Sequence, residues 1–283
     1  MPPFLYGGFM KLYISDLDGT LLNSDIVVSD FTVKTLNKLI SQGLQFSVAT
    51  ARTYATAGKI LKDIDLRLPI ILMNGVLIFN PTTKKYDVIN RLDERLCRVI
   101  NETRKSMGLE CFMYTITDDS MMTYYEKLSN KAMLDFYNER MAKYYKSFTQ
   151  VNDFDSVNTD KIYFTFIDTY EKLSPLYNKL SEINEIYMTF YKDIYSENLW
   201  YLEILSAAAS KKNAVLWLKE HYGFDSAAAF GDNLNDLPMF EVCEEKYAVK
   251  NANQKVIEKC NKVIETNNDD GVAKFLQSEW KGK

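Results

Sequence analysis

Acidic and hydroxyl residues recur in this chain where short apolar runs stop. Lys11–Ser15 (KLYIS) is followed by Asp16-Leu17-Asp18-Gly19-Thr20. The run 45–49 is followed by Thr50-Ala51-Arg52, 70–73 by Asn74-Gly75, and 227–230 by Gly231-Asp232-Asn233-Leu234-Asn235-Asp236. Lys211 opens the segment after the apolar run 200–205. These residue types suit a divalent cation and a phosphoryl group. A hard cation such as Mg2+ takes oxygen ligands in an octahedron and keeps several waters. Asp16 and Asp232 offer carboxylate oxygens, and the Asp18 carbonyl a third. A carboxylate can also attack phosphorus, giving an aspartyl-phosphate. Asp18, two residues on, can protonate the leaving oxygen and then deprotonate water. Gly19 and Thr20 suit a sharp turn whose backbone N–H groups face an anion. Thr50 and Lys211 can bind the phosphoryl oxygens as charge develops. A lone Asp-x-Asp usually just caps a loop or helix. Here Gly-Thr follows it, and Thr50, Lys211 and Gly-Asp-x-x-Asn-Asp stand in order at further strand ends.

Those residues need a scaffold that brings strand ends together. Ser29 is placed to N-cap a helix carrying Leu36, Leu39 and Ile40, with Gly43 stopping it. A second helix is expected near 54–62. Strand–helix–strand–helix–strand is the pattern of a parallel sheet with helices on both faces, whose site lies beyond the carboxyl ends of the strands. The pattern changes after Asn80-Pro81, a turn dipeptide. A helix at 93–107, a strand pair at 110–114 and 121–125, a helix over roughly 130–147 and further strand–helix–strand elements to 191 read as a separate α+β unit. Alternation resumes with strand 200–205, helix 211–222, strand 227–230, helix 236–242, strand 247–249 and helix 271–278. The expected fold is α/β: a doubly wound, Rossmann-like parallel-sheet core with an inserted α+β cap. The core is assigned to 10–83 and 198–283 and the cap to 84–197, joined by linkers near 80–85 and 196–199. Residues 1–9 are set aside as an extension.

Composition narrows the function. The chain has 283 residues, 47% hydrophobic and 25% charged, which excludes a disordered chain. Lys and Arg number 34 against 38 Asp and Glu, a net charge of −4 that argues against nucleic-acid or anionic-membrane binding. Cys97, Cys111, Cys243 and Cys260 form no C-x-x-C pair and fit no zinc spacing, so they read as reduced thiols of a cytoplasmic protein. No run of 18 apolar residues suggests a membrane span, and the N-terminus lacks the pattern of a secretion signal. The lone His221, near a helix end, reads as a solvated C-terminal charge.

The ordered motifs resemble those of the haloacid dehalogenase superfamily of phosphatases, in its Cof-like branch with a large inserted α/β cap. The matching residues are Asp16–Thr20 (DLDGT), Thr50 within ATAR, Lys211 within SKK and Gly231–Asp236 (GDNLND). Asn74-Gly75, Lys250-Asn251-Ala252 and Asp270-Gly271-Val272 match accessory patterns, and the resemblance covers about residues 10–283. It implies Asp16 as nucleophile, Asp18 as general acid and base, and Thr50 and Lys211 on the phosphoryl group. It implies Mg2+ held by Asp16, Asp18 and Asp232, with Asp236 behind them tethering Lys211 or a metal-bound water. Leu17, Arg52, Asn74, Gly75, Asn235 and Asn251 are then phosphate or substrate contacts. One departure is Lys212, where the branch carries glycine; Lys211 is preferred because it directly follows Ser210.

The expected activity is Mg2+-dependent hydrolysis of small phosphorylated metabolites, sugar phosphates foremost, by a monomer or weak dimer. A phosphomutase and a non-catalytic sugar-phosphate sensor are the alternatives. Retention of both Asp16 and Asp18 weighs against the sensor. A receiver domain is excluded by length, acid spacing and the insertion, and a P-loop hydrolase by the absence of G-x-x-x-x-G-K-[ST]. In the cap, Tyr124, Tyr125, Tyr191 and Lys192 are candidate substrate contacts, with core or surface roles favoured.

Overall fold

The computed structural model describes residues 9–117, 120–144, 148–193 and 198–280. In chain order the elements begin β1 (Lys11–Ser15), α1 (Asp30–Ser41), β2 (Gln45–Val48), α2 (Tyr54–Ile60), β3 (Ile70–Leu72), β4 (Leu77–Asn80) and β5 (Lys85–Ile89). They continue with α3 (Glu94–Ser106), β6 (Phe112–Thr117), β7 (Ser120–Tyr125), α4 (Lys131–Tyr144), β8 (Phe148–Gln150), β9 (Asp160–Asp168), α5 (Tyr170–Leu180), β10 (Ile186–Lys192) and β11 (Trp200–Ser206). The last are α6 (Lys211–Tyr222), β12 (Ser226–Gly231), α7 (Leu237–Phe240), β13 (Glu245–Val249), α8 (Gln254–Ile257), β14 (Lys262–Ile264) and α9 (Gly271–Glu279).

The chain divides into two compact units, 1–88 with 210–283, and 89–209. The first holds a parallel sheet of order β14-β13-β12-β1-β2. Alternate residues of its strands serve opposite faces, as the two-residue period of a strand requires. Leu12, Ile14, Ala227 and Ala229 share one buried cluster with Ala214, Val215 and Leu218 of α6 and Met239 and Phe240 of α7. On the other face Phe230 and Tyr247 meet Phe275 of α9, and Tyr13 meets Trp280. Helices therefore cover both faces, the doubly wound arrangement. The run Ser-Ala-Ala-Ala-Phe-Gly of β12 is wholly buried, and its small side chains let the covering layers approach closely. The ends of α1 and α6 follow from local chemistry. Ser29 Oγ accepts the Thr32 N–H, and Ser210 Oγ accepts the Asn213 N–H.

The second unit is built on a mixed sheet of order β10-β11-β9-β6-β7-β8. Its core gathers Leu96 and Ile100 of α3, Leu173 and Leu176 of α5, Phe164 and Phe166 of β9, and Leu202 and Ile204 of β11.

Three expectations are corrected. The run 200–205 is not a core strand: β11 lies between β10 and β9, antiparallel to both, in the second unit's sheet. The unit limits accordingly fall at 88/89 and 209/210, not 83/84 and 197/198. An apolar strand between two sheet neighbours reads the same in either sheet, so the sequence pattern could not assign it. Third, β3 does not continue as a full parallel strand. It touches β2 through the bridge Ala49–Ile71, then turns through Asn74-Gly75 into antiparallel β4, and β5 completes a small sheet. The expected helix 130–147 runs to Tyr144; residues 145–147 lie outside the described residues, as do 1–8 of the extension and 196–197 of the second linker.

Candidate active site

The carboxyl ends of β1, β2, β3 and β12 and the start of α6 bring most of the singled-out residues together. β1 and β12 run in parallel register through Ser15–Phe230, and the Asp16 N–H continues the ladder onto the Phe230 carbonyl at 2.9 Å. Asp16 therefore leaves the sheet beside the Gly231–Asp236 loop. Thr50 is wholly buried after β2; its N–H bonds the Ile71 carbonyl, and its carbonyl accepts the Asn74 N–H at 3.0 Å. Gly75, at φ +98°, permits a close approach. A β-carbon there would lie 2.4 Å from the Ser210 carbonyl oxygen, so glycine lets the turn pack on the residue that caps α6.

Lys211 is the hub. Its ammonium is 2% exposed and donates to Asp16 Oδ1 at 2.6 Å and Asp236 Oδ1 at 2.7 Å. The second Asp236 oxygen accepts the N–H groups of Asp232 (2.9 Å) and Asn233 (3.0 Å), so this buried carboxylate braces both the lysine and the loop. Asp232 receives the Thr20 hydroxyl at 2.8 Å. Gly19, at φ +75°, abuts it: a β-carbon would stand 2.4 Å from Asp232 Oδ2. Carboxylate oxygens of Asp16, Asp232 and Asp236 all lie within 4.8 Å of one another.

Electrostatics follow from that crowding. Burial pushes the Asp16 carboxyl well above its usual range, and Asp236 and Asp232 add to this against the pull of Lys211. Burial, then Asp236, raises Asp232 to about 6. Burial alone would lower the Lys211 ammonium, but Asp16 and Asp236 outweigh it and hold it above the lysine range. When all three carboxylates are ionised they exceed the Lys211 ammonium by two negative charges. A divalent cation offsets such an excess, and hard oxygen donors are the ligands Mg2+ prefers. The donor set thus fits the expected metal.

The remaining residues have distinct places. Asp18 is exposed and held by Arg52. Arg52 also donates its N–H to Thr50 Oγ1 at 3.1 Å. Leu17 is buried in the turn after Asp16, and Asn235 is partly buried in the Gly231–Asp236 loop. Asn74 is 6% exposed and its Oδ1 has no partner among the described residues, so an uncommitted polar group borders Thr50. Lys212 is partly exposed and pairs with Glu241 at 2.8 Å. Asn251, expected at substrate, lies between two backbone partners. It bonds the Gly19 carbonyl and the Asn267 N–H. Asn253 and Asn267 belong to the same network and were missed; the crowded Asn-Ala-Asn and Thr-Asn-Asn turns were the available signal. In the second unit, Tyr124 packs on the core, Tyr125 lies edge-on to Phe112 and Tyr137, Tyr191 stacks on Tyr201, and Lys192 is exposed. His221 is exposed and stacked on Trp217.

The haloacid dehalogenase-like hydrolase family matches the chain over residues 13–276, and the chain belongs to that family. It is 28% identical over 297 residues to the 5-amino-6-(5-phospho-D-ribitylamino)uracil phosphatase YwtE of Bacillus subtilis, covering 97% of this chain and 99% of that protein. A second Bacillus subtilis phosphatase of the same description, YitU, is 25% identical over 281 residues, covering 93% and 94%. The solved structure of TM0651 from Thermotoga maritima matches with a TM-score of 0.79 at 27% identity, covering 97% of this chain and 98% of that one. The chain is a phosphatase of this family. Among the described residues, no helix is long and apolar enough to cross a membrane.

Proposed function

We propose that this phosphatase hydrolyses monoesters of small polyhydroxylated metabolites, sugar or polyol phosphates, through an aspartyl-phosphate on Asp16. The observation that carries the reading is the buried Asp16 carboxylate at the end of β1, held by Lys211 among two further aspartates. The relatives YwtE and YitU are named for a phosphorylated ribityl substrate, which supports the polyol class.

Asp16 and Asp232, with the Asp18 carbonyl, would hold Mg2+, and Asp236 stands behind them against Lys211. Bound there, the cation supplies positive charge that lets an anionic nucleophile meet an anionic ester. An Asp16 oxygen attacks phosphorus, the bond to the leaving oxygen breaks, and Asp18 gives that oxygen its proton. Asp18 then takes a proton from water; the water oxygen attacks the phosphorus, and the bond to Asp16 breaks, releasing phosphate. Lys211 and the Thr50 hydroxyl, both held before substrate arrives, stabilise the phosphoryl oxygens together with Asn74, so little reorganisation of the first two is required.

The test is phosphate release from a panel of sugar, polyol and aryl phosphates with Mg2+ and with excess chelator. Acid quench of the reaction then seeks an acid-stable, hydroxylamine-labile phosphoenzyme. Metal-dependent release with a trapped phosphoenzyme is expected. Full activity in chelator, or turnover with no phosphoenzyme, overturns the mechanism. Conversion of a hexose phosphate to its positional isomer without phosphate release would make the enzyme a phosphomutase instead.

A further inference from the structure

Two loops carry the proposed metal ligands, and little of the sheet ladder extends into them. The Asp16–Thr20 loop leaves β1 and the Gly231–Asp236 loop leaves β12. Past the Asp16–Phe230 backbone bond, the side-chain link between them is Thr20 to Asp232. Glycine peptides rotate at low cost, so Gly19, which lies against Asp232, needs an anchor from outside its own loop.

The segment Asn251-Ala252-Asn253, between β13 and α8, reaches both loops. Asn251 Nδ2 donates to the Gly19 carbonyl at 2.8 Å, and the Asn253 N–H donates to the Asp232 carbonyl at 2.7 Å. The bracket is itself fixed. Asn251 Oδ1 accepts the Asn267 N–H at 3.0 Å, and Asn267 Nδ2 donates to the Leu22 carbonyl at 2.8 Å, where the first loop ends.

We infer that Asn251 is a positioning residue that sets the separation of the two acidic loops, and with it the affinity of the site for a divalent cation. The inference rests on the metal reading above. Asn251 fixes the Gly19–Thr20 peptide, and Thr20 in turn holds the Asp232 carboxylate. Both ends of the Asn251 carboxamide are committed to backbone groups, which is the arrangement of a brace and not of a substrate contact. Partners behind metal ligands commonly change affinity about 10- to 100-fold when removed. Asn251 is exposed, so its contribution to overall stability is small.

The test compares the full-length wild type with Asn251→Ala and Asn251→Asp. The second keeps the acceptor for the Asn267 N–H and removes only the donor to Gly19. It also adds negative charge near the site, which by electrostatics alone would tighten cation binding. Mg2+ affinity is measured by calorimetry without substrate, alongside kcat and KM on p-nitrophenyl phosphate and thermal unfolding. Both variants are expected to bind Mg2+ about tenfold more weakly and to lose kcat, with KM within about twofold and unchanged thermal unfolding. Wild-type Mg2+ affinity in either variant, or a rise in KM at constant kcat, overturns the inference. A wild-type chain that binds no Mg2+ overturns the metal reading, and this inference with it.

Discussion

Arg52 grips the Asp18 carboxylate with two parallel hydrogen bonds, Nε to Oδ2 at 2.7 Å and Nη2 to Oδ1 at 2.6 Å. Only a guanidinium presents that fork. The pair is half exposed on the Asp18 side, so it contributes little to stability. Its effect is to set where the proposed acid points. Arg52→Lys keeps the charge and loses the fork. It is expected to lower kcat/KM about tenfold on an alkyl phosphate, and less on p-nitrophenyl phosphate, whose leaving group needs less protonation. Equal losses on both esters would show that Arg52 acts on the phosphoryl group and not through Asp18.

Asp16→Asn should abolish turnover and the phosphoenzyme while stabilising the metal-free fold. Burial raises the folded-state pKa of Asp16, so its ionised form is disfavoured in the folded protein. A carboxylate of that kind costs stability above its unfolded pKa, near 3.9. The amide should therefore raise Tm at pH 7. The gain should vanish below about pH 4, where the unfolded wild-type carboxyl is protonated too. Calorimetry in chelator at pH 4 and pH 7 checks this. An unchanged or lower Tm at pH 7 contradicts it.

Lys211 and Lys212 are adjacent but face different surroundings: one buried between Asp16 and Asp236, the other partly exposed and paired with Glu241. Lys211→Ala should cost roughly 2–4 kcal/mol of transition-state stabilisation, by comparison with removal of an oxyanion donor. Lys212→Ala should leave kcat/KM on an aryl phosphate within about twofold, in line with an exposed pair. The reverse ranking in steady-state kinetics would move the phosphoryl-binding role to Lys212.

Burial pushes the thiols of Cys97, Cys111 and Cys243 up to about 12. A raised thiol pKa means less thiolate at a given pH, about one molecule in ten thousand at pH 8. Cys260 is partly exposed. Iodoacetamide on the native protein at pH 8 should label Cys260 first and the others only after unfolding. Two or more rapidly labelled cysteines by mass spectrometry would refute this.

The site's ingredients were legible because each stands directly after an apolar run, and a parallel sheet gathers its strand ends along one rim. Asp16, Thr50, Asn74 and Asp232 lie there. Their partners were only partly legible. Asn251 is expected at substrate; its contacts with Gly19 and Asn267 join segments 232 and 16 residues away, which no local pattern encodes. Strand β11 was misassigned for a related reason. Alternation reveals that Leu202 and Ile204 face a core, not which sheet supplies it. Strand β4 has no counterpart among the expected elements, which end an apolar run at 73 and next mark the turn Asn80-Pro81.

The pairing of β1 with β12 joins Lys11 to Ser226. A growing chain that emerges at about 5–20 residues per second makes β1 roughly 10–40 s before its partner exists. Residues 89–209 are contiguous and can collapse during that wait, whereas β1 and β2 have no central partner and present open edges. The parallel sheet, and the phosphatase site on its rim, can close only late in synthesis. The first strands thus wait with open edges, and a shift of the chain ends into the 89–209 segment would shorten that wait by placing β12 ahead of β1 in the order of synthesis.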